Sequence, residues 1–272
     1  PCGKCASCLR GETASCMAFG VTYMKDPGER PYLHGGFAEY LHTPAANLVR
    51  LPPGLDLDAV SAFPCGGPTV LRALTYAGGL EQGELVVVQG TGALGLFAVA
   101  WAASRGAVVV AIGSLSNPRR TELAKRLGAR DVMDFRGTEP TARLARIKAL
   151  AAELGRGDGA DLVIETSGSP AAFPEGLDLA RTRGRYVVPG QYSNSGTVMI
   201  APQVVTFKAL RITGSGQYTL VDIATYLDFL KAQPGLAEIF TSCVTRYPLR
   251  EYAQAFEAAK AGRNLKTVFT GD

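Results

Sequence analysis

The sequence runs to 272 residues, enough for one large or two ordinary domains, with 47% apolar and 19% charged residues, a balance that excludes a disordered or fibrous chain. Its 28 basic and 24 acidic residues leave a net charge of +4, too small and too dispersed to argue for a nucleic-acid partner. The longest apolar stretch, around Leu96 to Ala103, is cut by Ser104 and Arg105 and falls short of the roughly 20 residues a membrane span needs, so no membrane partner is expected.

Cys2, Cys5, Cys8 and Cys16 open the chain with the spacing C-x2-C-x2-C-x7-C. Four thiolates from so short a stretch suit tetrahedral Zn²⁺ in a structural role, where a closed set of four sulfurs leaves no open position for chemistry. Three alternatives fit less well. A disulfide framework would need other signs of secretion, a four-iron cluster run would need a shorter last gap and a proline where Met17 stands, and a redox C-x-x-C needs only two cysteines. Six cysteines with a thiolate-type metal motif point to a reducing cytoplasm. Cys243 has no motif around it and is expected in the core.

Residues 17 to 64 predict short strands and turns. The stretch GGFAEYLHTPAANLVRLP alternates apolar and polar residues between glycines and prolines. From Glu84 the pattern changes. ELVVVQG predicts a buried strand, GALGLFAVAWAASRG a helix, AVVVAIG a second strand and NPRRTELAKRLG an amphipathic helix ending at Gly128. DVMDF, ADLVIET, GRYVVPG and ALRITGS continue as strands, with helices over Thr141 to Leu154 and Pro174 to Ala180. Apolar, β-branched strands alternating with helices predict an α/β fold with a doubly wound parallel sheet. Arg181, Arg183 and Arg185 fall in a turn and are expected to be solvated. The tail from Leu220 predicts two amphipathic helices around VTRYPL and a final strand, KTVFT.

Gly90-Thr91-Gly92-Ala93-Leu94-Gly95 is a GxGxxG directly after the strand LVVVQ and directly before a helix. Gly90 allows the tight turn, Gly92 lets the backbone approach a pyrophosphate, and Gly95 lets helix and strand pack closely. The alternative is a glycine turn with a purely structural role. At the end of the second strand stand Ile112-Gly113-Ser114-Leu115, with no acid to grip the adenosine ribose. Arg119 and Arg120 follow, and guanidinium groups bind phosphate well, so the pattern leans to NADP(H) with NAD(H) open.

The zinc lobe, GGFAEY, PCGGPT, GTGALG and the closing LKTVF together resemble the zinc-containing medium-chain dehydrogenase/reductase family, and within it the polyol and cyclitol dehydrogenases. The resemblance implies three parts. Residues 1–66 are a remnant of a GroES-like β-barrel catalytic domain, with a zinc lobe over 1–20. Residues 67–216 form a Rossmann dinucleotide-binding domain, and 217–272 return to the catalytic domain. It further implies that Cys2, Cys5, Cys8 and Cys16 hold the structural zinc, that Cys65 is the last ligand of a catalytic zinc, and that Thr69 lies beside the nicotinamide. Thr166, Ser167, Val188 and Gly190 would line the cofactor, with Lys266 near its pyrophosphate. Without the motif around it, Cys65 would be read as a small buried apolar residue.

In that family an earlier segment supplies two further catalytic-zinc ligands and the proton relay, and nothing in this chain matches it. The histidines are His34 and His42, in a region unlike the family's ligand site. With Pro1 and Cys2 at the start, the resemblance implies an oxidoreductase missing its N-terminal part. The expected activity of the parent is hydride transfer between a secondary alcohol or polyol and NAD(P)⁺, with family members pairing as dimers or tetramers. A catalytically silent NAD(P)- and zinc-binding module is the second reading. A zinc-free quinone reductase is disfavoured because those relatives lack the lobe cysteines.

Overall fold

A computed structural model describes residues 1–18, 26, 28–30, 32, 33, 35–192 and 194–271. The chain divides into two compact units, Pro1–Pro64 with Gln217–Asp272, and Cys65–Gly216. The first opens with α1 (Ala6–Leu9), a 3₁₀ turn at Ala45–Asn47 and α2 (Leu57–Ala62). The strands expected over residues 17–64 do not form among the described residues. Alternation marks two faces but supplies no hydrogen-bonding partner, and a strand without one is not a sheet. The last part of the segment instead becomes α2, where the Asp56 carboxylate accepts the Asp58 N–H at 2.7 Å and caps the helix. Residues 19–25, including the end of the segment expected to form the zinc lobe, lie outside the described residues, as does His34.

The second unit runs α3 (Gly66–Tyr76), β1 (Leu85–Gln89), α4 (Ala93–Ser104), β2 (Val108–Gly113), α5 (Pro118–Arg126), β3 (Ala129–Asp134), α6 (Pro140–Glu153), β4 (Ala160–Glu165), α7 (Ala172–Leu179), β5 (Ala180–Val188), α8 (Gln203–Phe207) and β6 (Arg211–Gly214). Its six strands form one parallel sheet in the order β3-β2-β1-β4-β5-β6. β1 sits at the centre, with Val87 beside Val110 on one side and Val163 on the other. Buried along its whole length, β1 has no polar face to alternate with, hence LVVVQ. α4 is apolar all round and buried from Gly95 to Ala102, as a helix inside the core must be. Around the sheet pack Ile147, Leu150, Leu177 and the fully buried Tyr186. The order reverses between β1 and β4, which places a crevice at the carboxyl ends of those strands.

The chain then returns to the first unit through α9 (Leu220–Ala232), α10 (Pro234–Thr241), β7 (Val244–Pro248), α11 (Tyr252–Lys260) and β8 (Lys266–Thr270). Three helices form where two were expected, because Pro234 cannot continue α9 and instead starts α10. VTRYP is a strand paired in parallel with KTVFT, Val244 beside Lys266. The tail closes on the start of its unit. The Tyr226 hydroxyl donates to the carbonyls of Ala59 and Val60 at 3.0 Å, and Phe63 meets Phe240 edge-on with centroids 4.6 Å apart. Cys243 is buried, as expected. No helix among the described residues is long and apolar enough to cross a membrane.

At the amino-terminal ends of the strands, buried Asp161 accepts from Arg156 Nε at 2.9 Å, Arg181 Nε at 2.7 Å and the Leu85 N–H at 2.8 Å. Arg185 reaches both Glu84 carboxylate oxygens at 2.6 Å. Of the three arginines expected to be solvated, Arg181 and Arg185 are therefore ion-paired and only Arg183 is exposed. The strand β5 starts at Ala180, earlier than GRYVVPG suggested, so Arg181 as well as Arg185 lies in a strand beside the start of β4. Desolvation works to raise the Asp161 pKa, but the bonds from Arg156, Arg181 and Leu85 outweigh it and hold the carboxyl below its ordinary range. A depressed native pKa adds stability that is present above the unfolded value of about 3.9 and is lost as pH falls through the native value. Asp161→Asn is expected to cost about 2–3 kcal/mol at pH 7, and progressively less below about pH 4, read from urea midpoints at constant slope.

Candidate cofactor and metal sites

β1 ends at Gln89 and α4 begins at Ala93, so Gly90, Thr91 and Gly92 alone join them. Gly90 has φ 112°, and a Cβ there would lie 2.9 Å from Thr166 Oγ1 and from the Ser167 nitrogen. Gly95 sits in the first turn of α4, where a Cβ would overlap the Gly90 carbonyl oxygen. Gly92 is different: a Cβ there would meet nothing within 4 Å, and the helix it precedes has no side-chain cap. Uncapped N–H groups and the positive end of the helix dipole therefore face open space, which suits a pyrophosphate. The residues fit a dinucleotide at this turn.

The loop after β4 leans on the same turn. Thr166 donates from its N–H and its hydroxyl to the Gln89 carbonyl, at 2.8 and 2.7 Å. Glu165, fully buried, accepts the Ser167 N–H at 2.7 Å, the Ser167 hydroxyl at 2.6 Å and the Gly168 N–H at 3.0 Å on one oxygen. Its other oxygen has no hydrogen-bond partner among the described residues and faces Gly190, whose N–H bonds the Glu165 carbonyl at 2.9 Å. Val188 ends β5 just before. Thr166, Ser167, Val188 and Gly190 are thus gathered at the carboxyl edge around Gly90. Glu165 and Gln89 were not anticipated. Each ends a buried strand, and burial is what gives a terminal polar residue its role there.

The start of α3 approaches from another side: a Cβ on Gly66 would touch Ala93 and Leu94 at 3.4–3.5 Å. Cys65, the preceding residue, is exposed, with its sulfur 4.0 Å from the hydroxyl of buried Thr69. Lys266 begins β8 and belongs to the other unit.

Beyond β2, the hydroxyls of Ser114 and Ser116 lie 2.6 Å apart, and Asn117 caps α5 by accepting the Arg120 N–H at 3.4 Å. Arg119 is exposed, and Arg120 Nε is buried with no partner among the described residues. An acid is present here after all, contributed by the next strand. Asp134, at the end of β3, accepts the N–H groups of Arg136, Leu115 and Gly137 at 3.2, 3.3 and 3.1 Å, which hold its pKa low. A search confined to the end of β2 could not find it, because only sheet pairing sets Asp134 beside Gly113.

The sulfurs of Cys2, Cys5, Cys8 and Cys16 all lie within 4.8 Å of one another, and none of the six cysteines is in a disulfide. Around a tetrahedral zinc with bonds of about 2.3 Å the sulfurs stand about 3.8 Å apart, so a small contraction encloses the ion. Backbone N–H groups of Cys8 and Met17 lower the Cys5 pKa to about 6, and the Cys2 N–H, 3.2 Å from the Cys16 sulfur, lowers that thiol. Desolvation pushes Cys8 up to about 11. The set fits zinc. Cys65 does not gain such company: among the described residues, the four cysteines are the only cluster of three or more metal-type donors, and His42 is exposed.

A family model described as zinc-binding dehydrogenase matches residues 93–232. The chain is 34% identical over 242 residues to a 5-exo-hydroxycamphor dehydrogenase of Pseudomonas putida, covering 86% of this chain and 64% of that protein. It is 32% identical over 271 residues to an L-threonine 3-dehydrogenase of Bacillus licheniformis, covering 98% of this chain and 71% of the relative. The chain therefore spans 64% and 71% of the length of these two proteins. Among solved structures, an alcohol dehydrogenase of Thermotoga maritima superposes with a TM-score of 0.87 at 26% identity, over all of this chain and 74% of the other. With its six-stranded parallel sheet, glycine turn and four-thiol cluster, the chain belongs to the zinc-binding dehydrogenases, the zinc-containing branch of the medium-chain dehydrogenase/reductase family.

Proposed function

We propose that the chain is the cofactor-binding part of an alcohol dehydrogenase-type oxidoreductase that moves a hydride between a secondary alcohol or polyol, cyclitols included, and NAD(P). The observation that carries this reading is the turn from Gly90 to Gly95, closed to side chains at Gly90 and Gly95 but open above Gly92 at an uncapped helix start. When bound, the nicotinamide supplies the hydride chemistry. The chain's residues hold and orient it. N–H groups around Thr91, Ala93 and Leu94 take the pyrophosphate. Thr166, Ser167, Val188 and Gly190 line the cofactor, and Thr69 stands beside the nicotinamide. Ser114, Arg119 and Arg120 receive the adenosine ribose. The unpartnered Arg120 Nε supports a 2′-phosphate there, while Asp134 opposes it, so the lean to NADP(H) is slight.

Cys2, Cys5, Cys8 and Cys16 take a structural zinc that ties down the start of the chain. A catalytic zinc needs three protein ligands and an open position, and the described residues offer Cys65 alone. In this reading the remaining donors come from outside the described residues, as the greater length of the relatives supports. The same donor count favours a second reading, in which these 272 residues bind NAD(P) and one zinc but turn over nothing. The four thiols speak against a zinc-free quinone reductase. Met199, Phe207 and Ile212 expose apolar side chains on the unit that carries β6, the outer strand, which supports a homo-oligomer, dimer or tetramer. The partner is a small-molecule alcohol, and cysteines outside any disulfide suit the cytoplasm.

Metal analysis of the purified chain should return one zinc per monomer. Structural zinc contributes on the order of 10–16 kcal/mol in small peptides, so Cys8→Ser should lose the metal and leave residues 1–20 protease-sensitive. Iron, or four thiols paired as disulfides, would overturn the assignment. In fluorescence titrations, NADP(H) should bind at least as well as NAD(H). Gly92→Val should abolish both by filling the space above the turn, and Ser114→Asp should shift preference towards NAD(H) by repelling a 2′-phosphate. A strong NAD(H) preference in the unmutated protein would defeat the lean. Against a panel of secondary alcohols and polyols, the 272-residue chain should show no turnover. Turnover that survives Cys65→Ala would remove the zinc mechanism.

A further inference from the structure

The end of the sheet away from the glycine turn carries a second cleft. It lies at the amino-terminal ends of the strands, roughly 15 Å from the turn along β1 at about 3.3 Å per residue. Its volume is about 530 Å³, and Arg156, Arg181, Arg183, Arg185 and Arg211 line it together with three acids, Glu81, Glu84 and Asp161. Five guanidinium groups against three carboxylates leave an excess of two positive charges.

The pairing shows where that excess sits. Asp161, whose side chain is 2% exposed, is shared by Arg156 and Arg181, and Glu84, 7% exposed, takes Arg185. Arg185 also donates to the carbonyls of Ala77 and Gly79 at 3.0 and 2.7 Å, which locks it against the end of α3. These three arginines are anchored from below. Arg183 and Arg211 are exposed and form no ion pair among the described residues. Arg183 is also one of the non-glycine residues with a left-handed backbone, φ 59°, held by its N–H bond to the Lys208 carbonyl at 2.6 Å. A non-glycine residue in that region is strained, so the turn presents the Arg183 side chain at an energetic cost.

A network that served stability alone would be satisfied once Asp161 and Glu84 had their partners. Two further guanidinium groups at the rim of the same concave surface add repulsion that the remaining lining carboxylate, Glu81, offsets only in part. Guanidinium groups offer paired N–H donors that match the oxygens of a phosphate, and anchored ones lose little freedom on binding. We propose that this cleft is a binding site for a small phosphate-type polyanion, a diphosphate or triphosphate group, with Arg183 and Arg211 closing over the anchored Arg156, Arg181 and Arg185. The site is distinct from the dinucleotide turn and does not depend on the oxidoreductase reading.

The test uses inorganic pyrophosphate by isothermal titration at low salt, with the unmutated protein and with Gly92→Val, in which the glycine turn is blocked. Saturable binding of one pyrophosphate per chain is expected in both, weakening steadily with added salt. Arg183→Ser with Arg211→Ser should weaken it at least tenfold while leaving the melting temperature nearly unchanged, since neither side chain is ion-paired. Arg211→Glu alone should weaken it as well, and reports the same site if the double variant fails to fold. ADP titrated into Gly92→Val separates the sources: binding tighter than pyrophosphate indicates a nucleotide-borne phosphate, and equal or weaker binding a free one. Pyrophosphate binding that is lost in Gly92→Val, that is unchanged in both arginine variants, or that has a Kd above about 1 mM in the unmutated protein overturns the proposal.

Discussion

The close approach of backbone to backbone between Gly90 and Gly95 is the constraint on which the nucleotide side of this protein depends. A side chain at Gly95 would strike the Gly90 carbonyl, and one at Gly90 would strike the loop after β4. Relief by moving the helix is not open, because α4 is buried on every side and β1 is held between β2 and β4. The turn is thus rigid for reasons that lie in the core. Its one open position, Gly92, is where a ligand can replace the missing side chain.

The buried Glu165 extends that rigidity to the next loop. Three N–H and O–H donors converge on one of its oxygens, so residues 166–168 are shaped by a carboxylate that no solvent reaches. Its second oxygen has no partner among the described residues and lies against Gly190. A buried acceptor left unpaired is costly, and this loop bears that cost beside the glycine turn.

The two metal expectations part for a simple reason of distance along the chain. Cys2, Cys5, Cys8 and Cys16 lie within fifteen residues, so a short helix and two turns bring the sulfurs together without help from the rest of the fold. Cys65 is a single donor whose partners, in any site with an open coordination position, have to arrive from elsewhere. Local sequence therefore builds the first cluster, and no local sequence builds the second.

Much was legible because it is local or periodic. Cysteine spacing, the glycine turn between a strand and a helix, and the unbroken apolar strands with their helices are properties of short segments, and the parallel sheet follows from them. Other features were decided only by pairing. Alternation over residues 17–64 looked like strands but found no partners among the described residues, whereas VTRYP became a strand because KTVFT lay beside it. Asp134 reached the end of β2 through sheet register, and Glu165 and Asp161 took their roles from burial. Arg181 and Arg185, ordinary turn residues in the linear chain, were drawn onto carboxylates far away in sequence. The sequence alone determined which segments are proposed for metal and phosphate, since spacing and backbone freedom are written residue by residue. The tertiary structure alone decided which charges meet, because an ion pair depends on distance in space and on the exclusion of water, and neither is visible along the chain.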